Sequence, residues 1–143
     1  DLVITPIGGG GLIGGTALAV NLFAKSAKTI GAEPFEVDDA YRSLISGTIE
    51  TNQSTNTIAD GLKTQLGDQN FPIIQKHVEE IIRVTEEEIK NALKLIWERM
   101  KIIVEPSSAV ALAAVLKEPA KFKNKQIGVI ISGGNVDFNQ IQL

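Results

Sequence analysis

The chain has no cysteine, and only one histidine, one tryptophan and one methionine. Without cysteine there is neither a disulfide nor a thiolate metal site. No Cys–His pair is possible and no Ser–His–Asp arrangement is recognisable in the sequence, so nothing in it points to the common designs for nucleophilic catalysis. The single histidine, His77, falls on a short polar stretch and reads as a surface residue rather than a base. No run of about 18 apolar residues occurs, so no membrane span is expected. There is also no export signal, which together with the missing cysteine fits a cytoplasmic setting. Basic excess is absent as well: net charge is −3 and the pI about 5.2, against the basic surface that nucleic acid requires.

What is present suffices for a core. The 143 residues are 43% hydrophobic, the size of one domain or part of one. The sequence opens on a strand with no initiating Met, and it is expected to be a piece of something longer.

Leu2, Val3 and Ile4 form a short apolar run suited to a buried parallel strand. Pro6 follows, then Gly8, Gly9, Gly10 and Gly11, then the apolar residues of a helix beginning near Leu12. Four glycines in a row cost backbone entropy and add no packing. Their use is to let main-chain N–H groups surround an anion at a helix N-terminus. A bare turn would need only one or two. A side chain at Gly10 is therefore expected to obstruct a phosphate more than it destabilises the fold. Gly9-x-Gly11-x-x-Gly14 also satisfies the dinucleotide fingerprint, and Glu33 lies 19 residues beyond Gly14, where a ribose-binding acid would sit. A nicotinamide-dependent dehydrogenase is thus an open alternative, as is a non-catalytic remnant that merely binds phosphate.

The rest reads as alternating elements. A helix is predicted from Leu12 to about Ser26, a strand over Lys28 to Glu33, and a short helix over Asp38 to Leu44 with Asp38 or Asp39 at its cap. Gly47 to Thr57 is a polar loop. Phe71-Pro72 opens a short helix, and Ile81, Ile82 and Val84 mark another strand. Thr85 and Glu88 fit a capping box. The helix it opens places Ile89, Ala92, Leu93, Ile96, Trp97 and Met100 on one apolar face. Ser107 to Leu116 is a buried helix, Lys117 to Lys125 a charged loop, and Ile127 to Ile131 a fully apolar strand ending in Ser132-Gly133-Gly134-Asn135. The expected fold class is α/β, an open, mostly parallel twisted sheet flanked by helices. If the two strands that end in glycine turns are neighbours, both turns open on one crevice. Glu33, Asp38 and Asp39 could supply oxygens to a hard cation, or serve as a helix cap and solvated acids. Glu105, before Pro106, is expected to be partly buried.

Seven motifs occur in order: GGGGLIGG (Gly8 to Gly15), GAEP (Gly31 to Pro34), TIADGL (Thr57 to Leu62), VTEEEI (Val84 to Ile89), WERMK (Trp97 to Lys101), VEPSSAVALAA (Val104 to Ala114) and SGGNVD (Ser132 to Asp137). Along essentially the whole chain they resemble the serine racemase and serine/threonine dehydratase family of pyridoxal-phosphate enzymes, of the tryptophan-synthase-β fold type. The resemblance implies that residues 1–143 are the C-terminal portion of the large cofactor-binding domain, with the N-terminal segment and small domain absent. It implies that Gly8, Gly9, Gly10, Gly11 and Leu12 hold the phosphate of pyridoxal 5′-phosphate and that Ser132 faces its pyridine nitrogen. It also implies that Glu33, Asp39 and the carbonyl of Val37 bind a divalent cation (Mg, Mn or Ca), and that Glu105 lines the substrate side. The implied substrate is a small amino acid, the assembly a homodimer or higher homo-oligomer, and the reaction dehydration of serine or threonine, serine racemisation, or both. In animal racemases Lys101 and Asn135 would fall near a nucleotide at the dimer interface. The Schiff-base lysine matches no position here, so residues 1–143 alone are expected to be inactive.

Overall fold

The computed structural model describes residues 1–138 and 141. Four parallel strands form one sheet: β1 (Leu2–Pro6), β2 (Lys28–Pro34), β3 (Val78–Val84) and β4 (Ile127–Val129), in the order β3-β2-β1-β4. Parallel neighbours require crossovers, and helices supply them on both faces. On one face lie α1 (Gly11–Phe23), α2 (Asp39–Ser46) and α3 (Phe71–His77). Their core joins Ile7, Ile13, Ala17, Leu66, Phe71, Ile74 and Ile81. On the other lie α4 (Glu86–Leu95) and α5 (Pro106–Lys117), packed over Ile4, Ile30, Ala32, Ile82 and Val84. A short α6 (Pro119–Phe122) sits within the stretch expected to be a charged loop, with Phe122 buried in the α4–α5 core. Among the described residues no helix is long and apolar enough to cross a membrane.

Local chemistry explains most elements. Thr85 accepts the Glu88 N–H while the Glu88 carboxylate accepts the Thr85 N–H, completing the predicted capping box of α4. Helix α5 is buried along nearly its whole length, with Pro106 in its first turn.

Three expectations need correction. The α4 face does not run on to Met100. After Leu95 the chain widens into a π turn, Ile96–Met100, which rotates the later residues out of register, so that Met100 is 56% exposed. The turn lets Trp97 donate its indole N–H to the Val104 carbonyl at 3.0 Å and meet Phe138 edge-on. Next, β4 is three residues long and only half-buried, because it is the edge of the described sheet, and Ile131 lies beyond it, exposed. Lastly, Asp38 stands at the N-cap of α2, but its side chain caps nothing.

Gly31, at the centre of β2, is where the face carrying α1 comes closest. A Cβ there would overlap the Ile7 and Ile13 methyl groups. Gly31→Val is therefore expected to destabilise the fold by about 2–3 kcal/mol, the range for over-packing a tight core. A thermal melt unchanged from wild type would contradict this packing.

Candidate active site

The crevice follows from strand order. β1 and β4 are adjacent and parallel, so the glycine turn after β1 and the Ser132–Asn135 turn after β4 leave the same edge of the sheet. Between them is a cavity of about 210 Å³ lined by Gly8 to Ile13, Gly61, Leu62, Glu105, Ser107 and Ser132. The structure thus brings together the residues expected at the cofactor end: Gly8, Gly9, Gly10, Gly11, Leu12, Ser132 and Glu105.

The first bond of α1 runs from the Gly14 N–H to the Gly10 carbonyl at 2.9 Å. The N–H groups of Gly11 to Ile13 therefore have no intrahelical acceptor, and those of Gly8 to Gly10 before them find none among the described residues either. A row of unspent amides on the wall of a crevice at a helix start suits a phosphate. Gly10 has φ +88°, and a Cβ on it would meet Leu66 at 2.7 Å and Asn70 at 2.9 Å. That direction is into the α3 side of the core, so the obstruction expected at Gly10 is not what a side chain there would cause; it would strain the fold. The open direction is at Gly11, where a Cβ would meet nothing within 4 Å.

Ser132 is tied to α5. Its hydroxyl lies 3.3 Å from that of Ser108, which is fully buried, accepts the Gly133 N–H at 2.7 Å and bonds the Gly133 carbonyl at 2.8 Å. Ser108 was not singled out from sequence, although a serine inside an otherwise apolar helix is a visible signal. Glu105 is half-buried, as expected. One of its oxygens accepts the Asn135 N–H at 3.0 Å, and a Cβ on Gly133 would lie within 3.0 Å of its carboxylate. Ser107, also missed, accepts the Gly61 N–H at 3.0 Å and holds the Asp60–Leu62 turn against the crevice.

The acids around Pro34 form a separate place. Glu33 is 1% exposed, and its two oxygens accept the N–H groups of Ala40 (3.2 Å) and Tyr41 (2.9 Å). It, and not Asp38 or Asp39, caps α2. Because Glu33 takes the Tyr41 N–H, the Val37 carbonyl receives no donor among the described residues. Asp39 is also buried and accepts the Leu66 N–H at 2.6 Å. Burial pushes the Glu33 carboxyl well above its usual range and raises Asp39 too, with the neighbouring acids adding to the effect at Glu33. At Asp38 burial acts in the same direction, but hydrogen bonds from Arg42 (2.7 Å) and Arg83 (2.8 Å) outweigh it and hold that carboxyl low. Arg83 is itself sandwiched between the rings of Phe35 and Tyr41. Among the described residues no group of three acidic, histidine or cysteine side chains could hold a metal. Any cation here would rest on Glu33, Asp39 and the Val37 carbonyl. The fixed position of Glu33 also removes the acid on which the dinucleotide alternative relied, since it faces α2 and not the crevice.

Lys101 is exposed with φ 60°, and Asn135 contributes to a cavity that Thr57, Asp60, Lys63 and Pro106 also line.

The raised Glu33 carboxyl has a pH consequence. The folded state holds that proton more tightly than the unfolded chain does. Its stabilising contribution is complete below the unfolded carboxyl range of about pH 4 and is lost as pH rises through the higher folded value. In chelator, wild type is expected to lose stability relative to Glu33→Gln as pH is raised from about 4 toward neutrality. Parallel pH profiles for the two proteins would contradict it.

Comparison with known proteins agrees with this geometry. A family model described as pyridoxal-phosphate dependent enzyme matches residues 1–133. The chain is 54% identical to a serine racemase of Dictyostelium discoideum, covering 99% of this chain and 45% of that protein. It is 46% identical to a beta-hydroxyaspartate dehydratase of Paracoccus denitrificans, again over 99% of this chain and 45% of the relative. The solved structure of maize serine racemase superposes with a TM-score of 0.92 at 44% identity, covering 97% of this chain and 44% of that one. The chain therefore spans less than half the length of these relatives. None of them favours a nicotinamide enzyme, and the chain belongs to the family of pyridoxal-phosphate-dependent enzymes.

Proposed function

We propose that the protein containing this chain uses pyridoxal 5′-phosphate to dehydrate a small hydroxy amino acid, serine or threonine, to a 2-oxo acid and ammonia, to racemise serine, or both. The observation that carries this reading is the row of unpartnered amides from Gly8 to Ile13 facing a cavity that Ser132 and Glu105 also line. The relatives named as racemase and dehydratase support the choice of reaction. Residues 1–143 are read as part of the large cofactor-binding domain, and no residue of the chain is assigned as the Schiff-base lysine. The same proposal includes a homodimer or higher homo-oligomer, from the sequence resemblance, and a cytoplasmic setting, from the composition of the chain.

Bound there, the cofactor supplies an electron-withdrawing ring that takes up the charge left when the substrate α-carbon loses its proton. The chain's residues do the holding. Gly8, Gly9, Gly10, Gly11 and Leu12 offer main-chain N–H groups to the phosphate. Ser132 would offer the ring nitrogen a neutral hydroxyl, which can share a hydrogen bond but cannot stabilise a positive nitrogen as a carboxylate would. Glu105, fixed by the Asn135 N–H, presents a carboxylate on the substrate side. Glu33, Asp39 and the Val37 carbonyl are proposed to hold a divalent cation, which would offset the burial of two acids.

Two measurements test this reading. In the protein containing this chain, L-serine or L-threonine should yield a 2-oxo acid, or L-serine should yield D-serine, and dialysis against a carbonyl scavenger should abolish the activity. Protein saturated with cofactor that forms neither product would refute it. Gly11→Val should lower cofactor retention through dialysis by about tenfold or more, while Gly10→Val should chiefly lower the melting temperature. For the cation, ligand binding stabilises the folded form by mass action, about 2.7 kcal/mol at a hundredfold excess over Kd. Chelator should lower the wild-type melting temperature by several degrees and leave Glu33→Ala unmoved. Equal responses would mean that these acids hold no cation.

A further inference from the structure

The amides of the glycine turn serve an anion only if the peptide planes between them keep one orientation. The Gly9–Gly10 peptide joins two glycines and has no side chain to restrain it. A trans peptide carries its C=O and N–H on opposite sides of one plane. Were this unit to flip, the Gly9 carbonyl would turn its lone pairs into the crevice and the Gly10 N–H would leave it.

The Gly9 carbonyl is held by two donors from outside the crevice. The Asn70 side-chain amide donates to it at 2.8 Å, and the Gly67 N–H at 3.1 Å. Neither residue lines the cavity. Asn70 stands at the N-cap of α3, where an asparagine side chain normally accepts an N–H of its own helix, yet it makes no such bond. Its amide is spent on Gly9 instead. The approach is close on all sides: a Cβ at Gly67 would lie 3.3 Å from the Gly9 carbonyl oxygen, and one at Gly10 would lie 2.9 Å from the Asn70 Cβ. The loop that carries Gly67 is anchored one residue earlier, where Asp39 accepts the Leu66 N–H.

We infer that Asn70 is a positioning residue for the phosphate turn: its side-chain amide pins the Gly9 carbonyl away from the crevice and so fixes the Gly10 N–H toward the bound anion. The inference rests on the proposed phosphate site and adds to it a residue outside the glycine motif.

The test compares pyridoxal 5′-phosphate with pyridoxal, which lacks the phosphate, by equilibrium dialysis against the apo form of the protein containing this chain. Asn70→Asp keeps the shape and a good helix N-cap but sets an oxygen against the Gly9 carbonyl. Asn70→Leu removes the donor without adding charge. Each is expected to weaken pyridoxal 5′-phosphate about tenfold, the worth of one buried hydrogen bond, while the pyridoxal Kd stays within about twofold. An unchanged pyridoxal 5′-phosphate Kd in Asn70→Leu overturns the role. So does an equal weakening of both compounds, which would mark general damage to α3. Failure of the phosphate site itself would look different: wild type would then bind the two compounds alike.

Discussion

A helix that begins in a crevice cannot satisfy its own first N–H groups, and the arrangement at α1 depends on that deficit. Among the described residues the six amides from Gly8 to Ile13 have no acceptor, and for Gly11 to Ile13 the reason is that the first intrahelical bond starts only at Gly14. At Gly8 and Gly10 a side chain would collide with Thr64 and with Leu66 and Asn70 behind the turn, so the close approach of neighbouring chain is one reason the segment bears the entropic cost of consecutive glycines. The parallel pairing of β1 with β4 then sets Ser132 across from them. The sheet order, the turn composition and the free amides all serve one concentration of positive potential.

The acids near Pro34 show the opposite balance. Glu33 caps α2 with both oxygens yet sits in surroundings that resist its ionisation. Asp38, one turn away, is kept charged by two arginines, so neighbouring acids in one loop occupy different electrostatic worlds. The sandwich of Arg83 between Phe35 and Tyr41 helps to keep that partition in place, since it holds the guanidinium on Asp38.

Much of this was legible in the sequence, for physical reasons. Period and capping announced α4, and a glycine turn after a β-branched run announced the crevice. That Ser132 and Gly8 to Gly11 share it followed from the rule that parallel strands present their carboxyl ends together. The failures were tertiary. No period in the sequence reveals that the helix widens at Ile96, or that Met100 falls outside the core. The run from Ile127 to Ile131 looks buried because its residues are apolar, but burial depends on what lies beside a strand, and β4 has a neighbour on one side only. The direction in which Gly10 points was illegible too: a glycine's φ is not written in its identity. Ser108 and Asn70 escaped notice because each acts through a main-chain group of a distant residue.

That one-sided strand has a consequence for how residues 1–143 behave in isolation. On its outer side β4 carries a ladder of main-chain donors and acceptors with no complement among the described residues, and the exposed Ile131 follows it. Such an edge is a template: any extended segment that meets it can continue the hydrogen-bonding pattern. A second copy of residues 1–143 could supply such a segment, so the outer side of β4 is open to self-association in concentrated solution.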